Sequence, residues 1–367
     1  MSLNIIKQRI NQLIKFCSSY IKTMYTLSPN DIDNGSQFFN KLNANFAEVS
    51  NPQSSHSDSE CLTRFVQEMN KKAALLGMTN TTFYDPVGFQ PANSIPNLDW
   101  SEYPEAYKTN DANTMTAMDA LRMTIYASGI QHINDAWNRR QFTLNWRNGT
   151  TPNTATITSA VYSSSYCQDS IDALLASYDI LGGKTGTWGY SPYNAYNLVM
   201  IVRSRSTGKV YAVADMATAT GNTSSANRFI DAKKALDKVD ASGTTNSFSQ
   251  GGCCVCELPS ITPSLLNRAD IDLLFSSGPN VSVHPASVSK VMTAILLCDN
   301  VQDLNQCVTV HNYDRLPPSG YNFVAGDVLT LRDLLNCMMT ESSNTSAMAI
   351  ARVVGSILLD RDANVMD

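Results

Sequence analysis

The chain has 367 residues, 43% of them hydrophobic, and a formal net charge of −5, enough apolar material for one large or two medium domains around a sizeable core. The acidic balance excludes a general nucleic-acid surface, which needs Lys and Arg clustered on one face. No run approaches the roughly eighteen consecutive apolar residues of a membrane-spanning helix, and the opening Met1-Ser2-Leu3-Asn4-Ile5-Ile6-Lys7-Gln8-Arg9 lacks the apolar stretch and small-residue cleavage site of a secretory signal.

Residues 5–24 place Ile6, Ile10, Leu13, Cys17, Tyr20 and Met24 at alternating spacings of four and three, the seam of a short coiled coil. Its charges are all basic (Lys7, Arg9, Lys15, Lys22), so self-association, packing on the chain's own domain and lying on a membrane surface all fit. Ser28-Pro29-Asn30-Asp31 breaks this pattern, Phe38, Phe39, Leu42, Phe46 and Val49 form a second amphipathic helix, and the polar run Ser50 to Glu60 reads as a linker. Compact globular sequence starts at Cys61: a helix Leu62–Leu76 stopped by Gly77, turn-rich sequence with Asp85-Pro86-Val87-Gly88, and a helix from near Asn113-Thr114 to Gly129. Two strand-like runs, Asn197–Arg203 and Lys209–Asp215, flank hairpin-loop residues 204–208 and predict adjacent antiparallel strands. A helix Ala226–Val239 follows, then a Ser/Thr/Gly/Asn-rich connector from Asp240 to Gly252. The nine cysteines are odd in number and scattered; Cys253-Cys254-x-Cys256 lacks a second ligand pair at finger spacing, the four histidines are isolated, and no metal or cofactor is expected.

Three short motifs carry chemistry: Ser287-Val-Ser-Lys290, Ser342-Ser-Asn344 and Lys184-Thr185-Gly186. None is specific alone, since Ser19-Tyr-Ile-Lys22, Ser28-Pro-Asn30 and Ser225-Ala-Asn227 fit the same patterns. Ser287, however, stands at a helix start followed by the apolar run Val291-Met-Thr-Ala-Ile-Leu-Leu297. Backbone N–H groups and the positive dipole end at a helix N-terminus stabilise negative charge that develops in acyl transfer. Lys290, three residues on, lies on the same face, and apolar surroundings would lower its proton affinity until the neutral amine serves as a base.

Pro285-Ala-Ser-Val-Ser-Lys290 with Met292-Thr293-Ala294 resembles the nucleophile signature of the serine D-alanyl-D-alanine carboxypeptidases, the low-molecular-weight penicillin-binding proteins. Val324-Ala-Gly-Asp-Val-Leu-Thr-Leu-Arg-Asp-Leu-Leu335 resembles the stretch leading to the family's second motif, here Glu341-Ser342-Ser343-Asn344. Earlier in the chain, Phe65–Ala73, Leu76–Phe83, Asp85–Gly88 and Asn113–Asp119 look like the segment after that motif; Ile180-Leu-Gly-Gly-Lys184-Thr185-Gly186-Thr187 resembles the third, Tyr196–Val199 the strand after it, and Arg228-Phe229 the start of the closing helix. The resemblance implies an α+β fold, a β-lactamase/transpeptidase-like antiparallel sheet between helices with a helical subdomain. It also implies Ser287 as nucleophile, Lys290 as base and Ser342 as proton relay. Asn344 would then hold the substrate amide, and Lys184 and Thr185 the substrate carboxylate. Gly186 would make room for the peptide, and the N–H of Thr187 would join that of Ser287 in an oxyanion hole. The implied partners are peptidoglycan stem peptides or related D-amino-acid peptides and β-lactams, at the bacterial cell wall.

The family places the serine–lysine motif first, so the order here is rotated: residues 255–367 followed by 57–240 restore it, with 241–254 as linker and 1–56 as an added helical extension. A circularly permuted single domain and a domain completed by swapping between chains both fit. The chain departs from the family at 89–112, at 141–170 and at Ser343, where many members carry Gly or Ala. A β-lactamase would need an added glutamate to position water, and Glu102 and Glu105 sit in a divergent loop with no confirming motif. An esterase or D-aminopeptidase, or a module that docks on peptidoglycan without turnover, also fits the motifs. Phe39-Asn-Lys-Leu-Asn-Ala-Asn-Phe-Ala-Glu48 resembles N-terminal regions of bacteriophage tail proteins, which implies a trimer formed through residues 5–24 and a phage-associated route to the wall.

Overall fold

The computed structural model describes residues 56–88, 111–190, 193–219, 226–240, 251–258, 271–316 and 319–366. The expectations for residues 5–24 and 39–48, and for Glu102 and Glu105, lie outside them. Residues Ser54–Asp367 form one compact unit, and among the described residues no helix is long and apolar enough to cross a membrane.

Helix α1 spans Asp58–Leu75 and opens on a capping box in which Ser57 and Glu60 satisfy each other's backbone N–H. It therefore starts inside the stretch expected to be linker. Cys61, Leu62, Phe65, Met69 and Ala73 form its buried stripe, and Gly77, at φ +71°, turns the chain away. Then come α2 (Ala117–Ser128), α3 (Gln131–Trp137), β1 (Gln141–Asn148), β2 (Thr151–Thr158), α4 (Gln168–Leu175), β3 (Tyr178–Tyr190), β4 (Tyr193–Ser204), β5 (Val210–Met216), the short β6 (Thr218–Ala219) and α5 (Asn227–Val239). The second stretch supplies β7 (Gly252–Glu257), β8 (Leu273–Ser277), a 3-10 turn (Ala286–Ser289), α6 (Lys290–Asn300), β9 (Cys307–Thr309), β10 (Asp327–Thr330), α7 (Leu331–Thr340) and α8 (Asn344–Met366).

The fold is α+β, and every strand pair is antiparallel. The main sheet runs β3-β4-β5-β7-β8, with β6 beside β4. Its middle strands are buried on both faces, which is why they read as continuous apolar runs. Val199, Ile201, Ala212, Ala214, Cys254 and Cys256 join the larger core under α2 and α6, while Leu198, Met200, Val202, Val213, Cys253 and Val255 pack on α4 and α5. The expected linker 241–254 thus ends too late. Residues 252–254 are already in β7, because a buried thiol behaves as a small apolar side chain and three of them fit the strand's alternation. A second sheet, β2-β1-β10-β9, is built on the hairpin 141–158, which the sequence reading had left as a departure.

Strands β5 and β7, which come from the two stretches, pair over Tyr211↔Glu257 to Met216↔Gly252. At the other junction α1 lies along α8: Arg64 Nε donates to Asp362 at 2.6 Å, and His56 Nε2 meets Asp360 at 2.9 Å. Gly355 of α8 permits this approach, since a Cβ there would stand 1.9 Å from the Cys61 carbonyl oxygen.

Candidate active site

Four of the residues singled out by motif converge on one spot. Ser287 lies in the 3-10 turn, one turn ahead of the α-helix expected to carry it, and Lys290 is the first residue of α6. In 3-10 geometry residues three apart eclipse, so the lysine is stacked under the serine. Lys290 Nζ stands 2.7 Å from Ser287 Oγ, 3.3 Å from Ser342 Oγ and 3.3 Å from the Val87 carbonyl oxygen. Lys184 of β3 reaches the same relay from the other side: its Nζ is 3.0 Å from Ser342 Oγ and 2.8 Å from the Thr185 carbonyl.

Both amines are shut off from water, Lys290 at 0% exposure and Lys184 at 1%. Burial lowers Lys290 to about 7, against a smaller opposing pull from Asp85. Burial also drives Lys184 well below the ordinary lysine range, reinforced by repulsion from Lys290 and Arg228. A neutral Lys290 at 2.7 Å can take the Ser287 proton directly. Ser342 Oγ accepts from both amines through its two lone pairs, so its own hydrogen is left to be given to a leaving group.

Two backbone positions hold this arrangement. Ala286 (φ 47°) and Ser342 (φ 73°) are the non-glycine residues with positive φ among those described, and each such residue costs about 1–3 kcal/mol. Strain held at the residue before the nucleophile and at the relay itself is the pattern expected where geometry serves chemistry. Ser342 is clamped by neighbours: Ser343 Oγ donates to the Tyr321 carbonyl at 2.8 Å, the Tyr321 N–H donates to Glu341 Oε1 at 2.7 Å, and the Asn344 N–H donates to the Ser319 carbonyl at 3.1 Å. The departure at Ser343 therefore has a structural use. Gly186 passes so close to the nucleophile turn that a Cβ would lie 2.4 Å from the Pro285 carbonyl oxygen and 3.0 Å from the Val288 nitrogen.

The remaining expected residues line up less simply. Asn344 opens α8 two residues after Ser342 and is 6% exposed. Thr185 is buried and Thr187 exposed on β3. Lys184, expected to hold a substrate carboxylate, is buried and donates to Ser342 and to the Thr185 carbonyl. The cation on the Thr187 side is Arg228 of α5, whose Nη1 donates to Thr187 Oγ1 at 2.7 Å. In the sequence Arg228 marks only a helix start, because a single arginine in an amphipathic helix carries no signal of its own. Trp188, which follows Thr187, stacks on His284 with ring centroids 4.7 Å apart and donates to the Gly88 carbonyl at 2.9 Å. Among the described residues no group of His, Cys, Asp and Glu is placed to hold a metal ion.

Residues 265–360 match the model of the Beta-lactamase enzyme family. The matched stretch contains Ser287, Lys290, Ser342 and Asn344, and it supports a serine β-lactamase/transpeptidase-like family with serine-hydrolase chemistry in general. The architecture is β-lactamase-like α+β. No curated protein and no solved structure matches the chain.

Proposed function

We propose that the chain is a serine acyl-enzyme hydrolase of the D-alanyl-D-alanine carboxypeptidase type, binding penicillins and acting on D-Ala-D-Ala-type stem peptides of peptidoglycan. The observation that carries this is the buried lysine pair joined through one hydroxyl: Lys290 between Ser287 and Ser342, and Lys184 on Ser342. Neutral Lys290 deprotonates Ser287 as it attacks the penultimate D-alanine carbonyl. Ser342 then passes a proton to the departing amine, and Lys290 activates the water that frees the acyl group. Backbone N–H groups of Ser287 and Thr187 take the oxyanion; such donors contribute about 2.7–4 kcal/mol each. Asn344 holds the substrate amide. The substrate carboxylate sits at the Thr185–Thr187 end of β3. There the Thr187 hydroxyl oxygen already accepts from Arg228, so its hydrogen is left to donate, and Arg228 adds positive charge that a guanidinium does not lose.

In the same reading the domain is a circularly permuted single unit, residues 251–367 followed by 57–240. The pairing of β5 with β7 and the contacts of Arg64 with Asp362 and of His56 with Asp360 support it. A swapped oligomer would give the same contacts between chains, and the mass in solution distinguishes the two.

Intact-mass measurement after exposure to a penicillin tests nucleophile and chemistry together. Wild type gains one drug mass and releases D-alanine from a peptide ending in D-Ala-D-Ala, and Ser287→Ala does neither; equal labelling of both refutes the assignment. The family match favours one second reading, a β-lactamase, for which rapid turnover of a chromogenic cephalosporin replaces the stable adduct.

A further inference from the structure

The amine at the centre of the site is held by a part of the chain outside the three motifs. Asp85, Asn113 and the turn 85–88 supply none of the four side chains that converge at the site, yet the Val87 carbonyl of that turn accepts from Lys290. Asp85 Oδ1 accepts the N–H groups of Val87 (2.8 Å) and Gly88 (2.6 Å), which folds 85–88 into a tight turn. Asn113 Oδ1 accepts from the N–H groups of Tyr84 (2.6 Å) and Asp85 (3.1 Å), while its amide donates to the Asp85 carbonyl (2.9 Å) and to Ser289 Oγ (3.0 Å). Thr293 Oγ1, one turn along α6 from Lys290, donates to the Pro86 carbonyl at 2.6 Å. Gly88 presses on the residue before the nucleophile, where a Cβ would overlap the Ala286 carbonyl oxygen at 1.8 Å. The product of all these contacts is the place of one atom, the Val87 carbonyl oxygen that receives the Lys290 amine. Asp85 is 4% exposed and Asn113 0%, so neither serves as a surface cap.

We infer that Asp85 and Asn113 are positioning residues for Lys290: together they pin the 84–88 turn to α6 so that Val87 holds the amine under Ser287, and the carboxylate of Asp85 keeps a negative charge beside it. The charged groups facing Lys290 are Asp85 from this turn and Lys184 from β3, with Arg228 of α5 acting on Lys184 in turn. Asp85 is the one that favours protonated Lys290, so removing its charge lowers the pH at which the amine becomes neutral. A purely structural role predicts lost stability and no such movement.

The experiment follows the titration of Lys290 by NMR in protein labelled with [13Cε]lysine, its signal assigned by disappearance in Lys290→Arg, alongside the pH profile of penicillin acylation. Asp85→Asn keeps the oxygen that caps the turn, removes the charge and turns the second acceptor into an amide donor. Its Lys290 midpoint falls by about one pH unit, and the acid limb of acylation moves down by the same amount, so acylation well below the wild-type midpoint is faster by up to about tenfold. Asn113→Ala frees the turn and lowers the maximal acylation rate at least tenfold, with less change in the penicillin concentration that half-saturates. If Asp85→Asn does not fold, Asp85→Ser, neutral with a hydroxyl oxygen one bond nearer the backbone that can still accept from the turn, gives the same downward movement. A Lys290 midpoint at the wild-type position in a folded Asp85→Asn or Asp85→Ser protein overturns the inference. The acylation arm rests on the function proposed above, but the titration does not. A wild type that is never acylated, with a midpoint that still falls on loss of Asp85, defeats that function and supports this inference.

Discussion

Replacing Lys290 with methionine should stabilise the protein while abolishing acylation, and the gain should vanish in alkali. The amine is 0% exposed, and burial takes it from the ordinary 10.5 to about 7; at 1.36 kcal/mol per unit this is a penalty of about 5 kcal/mol for carrying the charge in the folded state. The unfolded chain holds the proton up to pH 10.5 and the folded chain only to about 7. Between those limits the unfolded state binds more protons, so wild-type stability rises with pH. At pH 7 about 4 kcal/mol of the penalty remains, because the folded amine is then half protonated. Methionine fills a similar space without charge. Against that gain, Ser287, Ser342 and the buried Val87 carbonyl each lose a donor, at about 1 kcal/mol apiece; Ser342 keeps Lys184, and Ser287 is only half-buried and open to water. The net expectation at neutral pH is a gain of about 1 kcal/mol. Lys184 is common to both chains, and losing Lys290 relieves its repulsion, which adds in the same direction. Urea denaturation of both proteins at pH 6, 8 and 10 reads the difference. The methionine variant should be the more stable at pH 6 and the less stable at pH 10, where the lost hydrogen bonds outweigh what is left of the charge penalty. A methionine variant less stable than wild type at pH 6, or a difference independent of pH, refutes the buried, easily deprotonated lysine on which the proposed chemistry depends.

Gly186→Ala forces its new methyl against Pro285 and Val288, so stability should fall by about 1–3 kcal/mol. Penicillin acylation should fall at least tenfold as the nucleophile turn shifts off Lys290; denaturation and stopped-flow labelling check the two effects. Gly355→Ala drives a Cβ into the Cys61 carbonyl where α8 crosses α1. It acts about 16 Å along the helix from Asn344, so the melting temperature should drop while the remaining folded protein is acylated at the wild-type rate. A chain rewritten to run from residue 251 to 367, through a short Gly/Ser bridge, and on from 57 to 240 should fold as a monomer and react with penicillin. An aggregated or inert product counts against the permuted domain.

The geometry of the site was legible in the sequence wherever spacing alone fixes it. A serine and a lysine three residues apart in a tight helical turn must face each other, and the apolar run after Lys290 announced its burial. The meeting of Lys184 with Ser342 needed the family resemblance, because 158 residues separate them and no local rule links them. The strap of Asp85 and Asn113 was invisible for a related reason: an Asp-Pro-Val-Gly turn looks like any turn until its carbonyl is seen to hold an amine 203 residues away. Two elements carry local signals of their own. Phe142, Leu144 and Trp146 alternate before Gly149, whose positive φ opens the two-residue loop 149–150 between β1 and β2. Cys253, Cys254 and Cys256 are apolar enough to build a buried strand, since buried cysteine is among the most apolar of small residues.

These contacts also show why the rotated order proposed above would leave the site's geometry undisturbed. The site draws on β3, the turn before α6, the junction of α7 with α8, and the 84–88 strap. Each is fixed by a sheet pairing or a buried hydrogen bond between distant residues, such as Lys184 with Ser342 or Asn113 with Ser289. The points where a permutation rearranges the chain are elsewhere. One lies between α5 and β7, whose sheet neighbours hold it in register through Asp215↔Cys253. The other lies between α8 and α1, held by Arg64 and Asp362 and by the close approach at Gly355. Chain continuity at either point adds loop-closure entropy, which grows only slowly with length, and no geometry that the site uses. A domain permuted as proposed would therefore lose little by the rotation, its new ends falling where α8 meets α1.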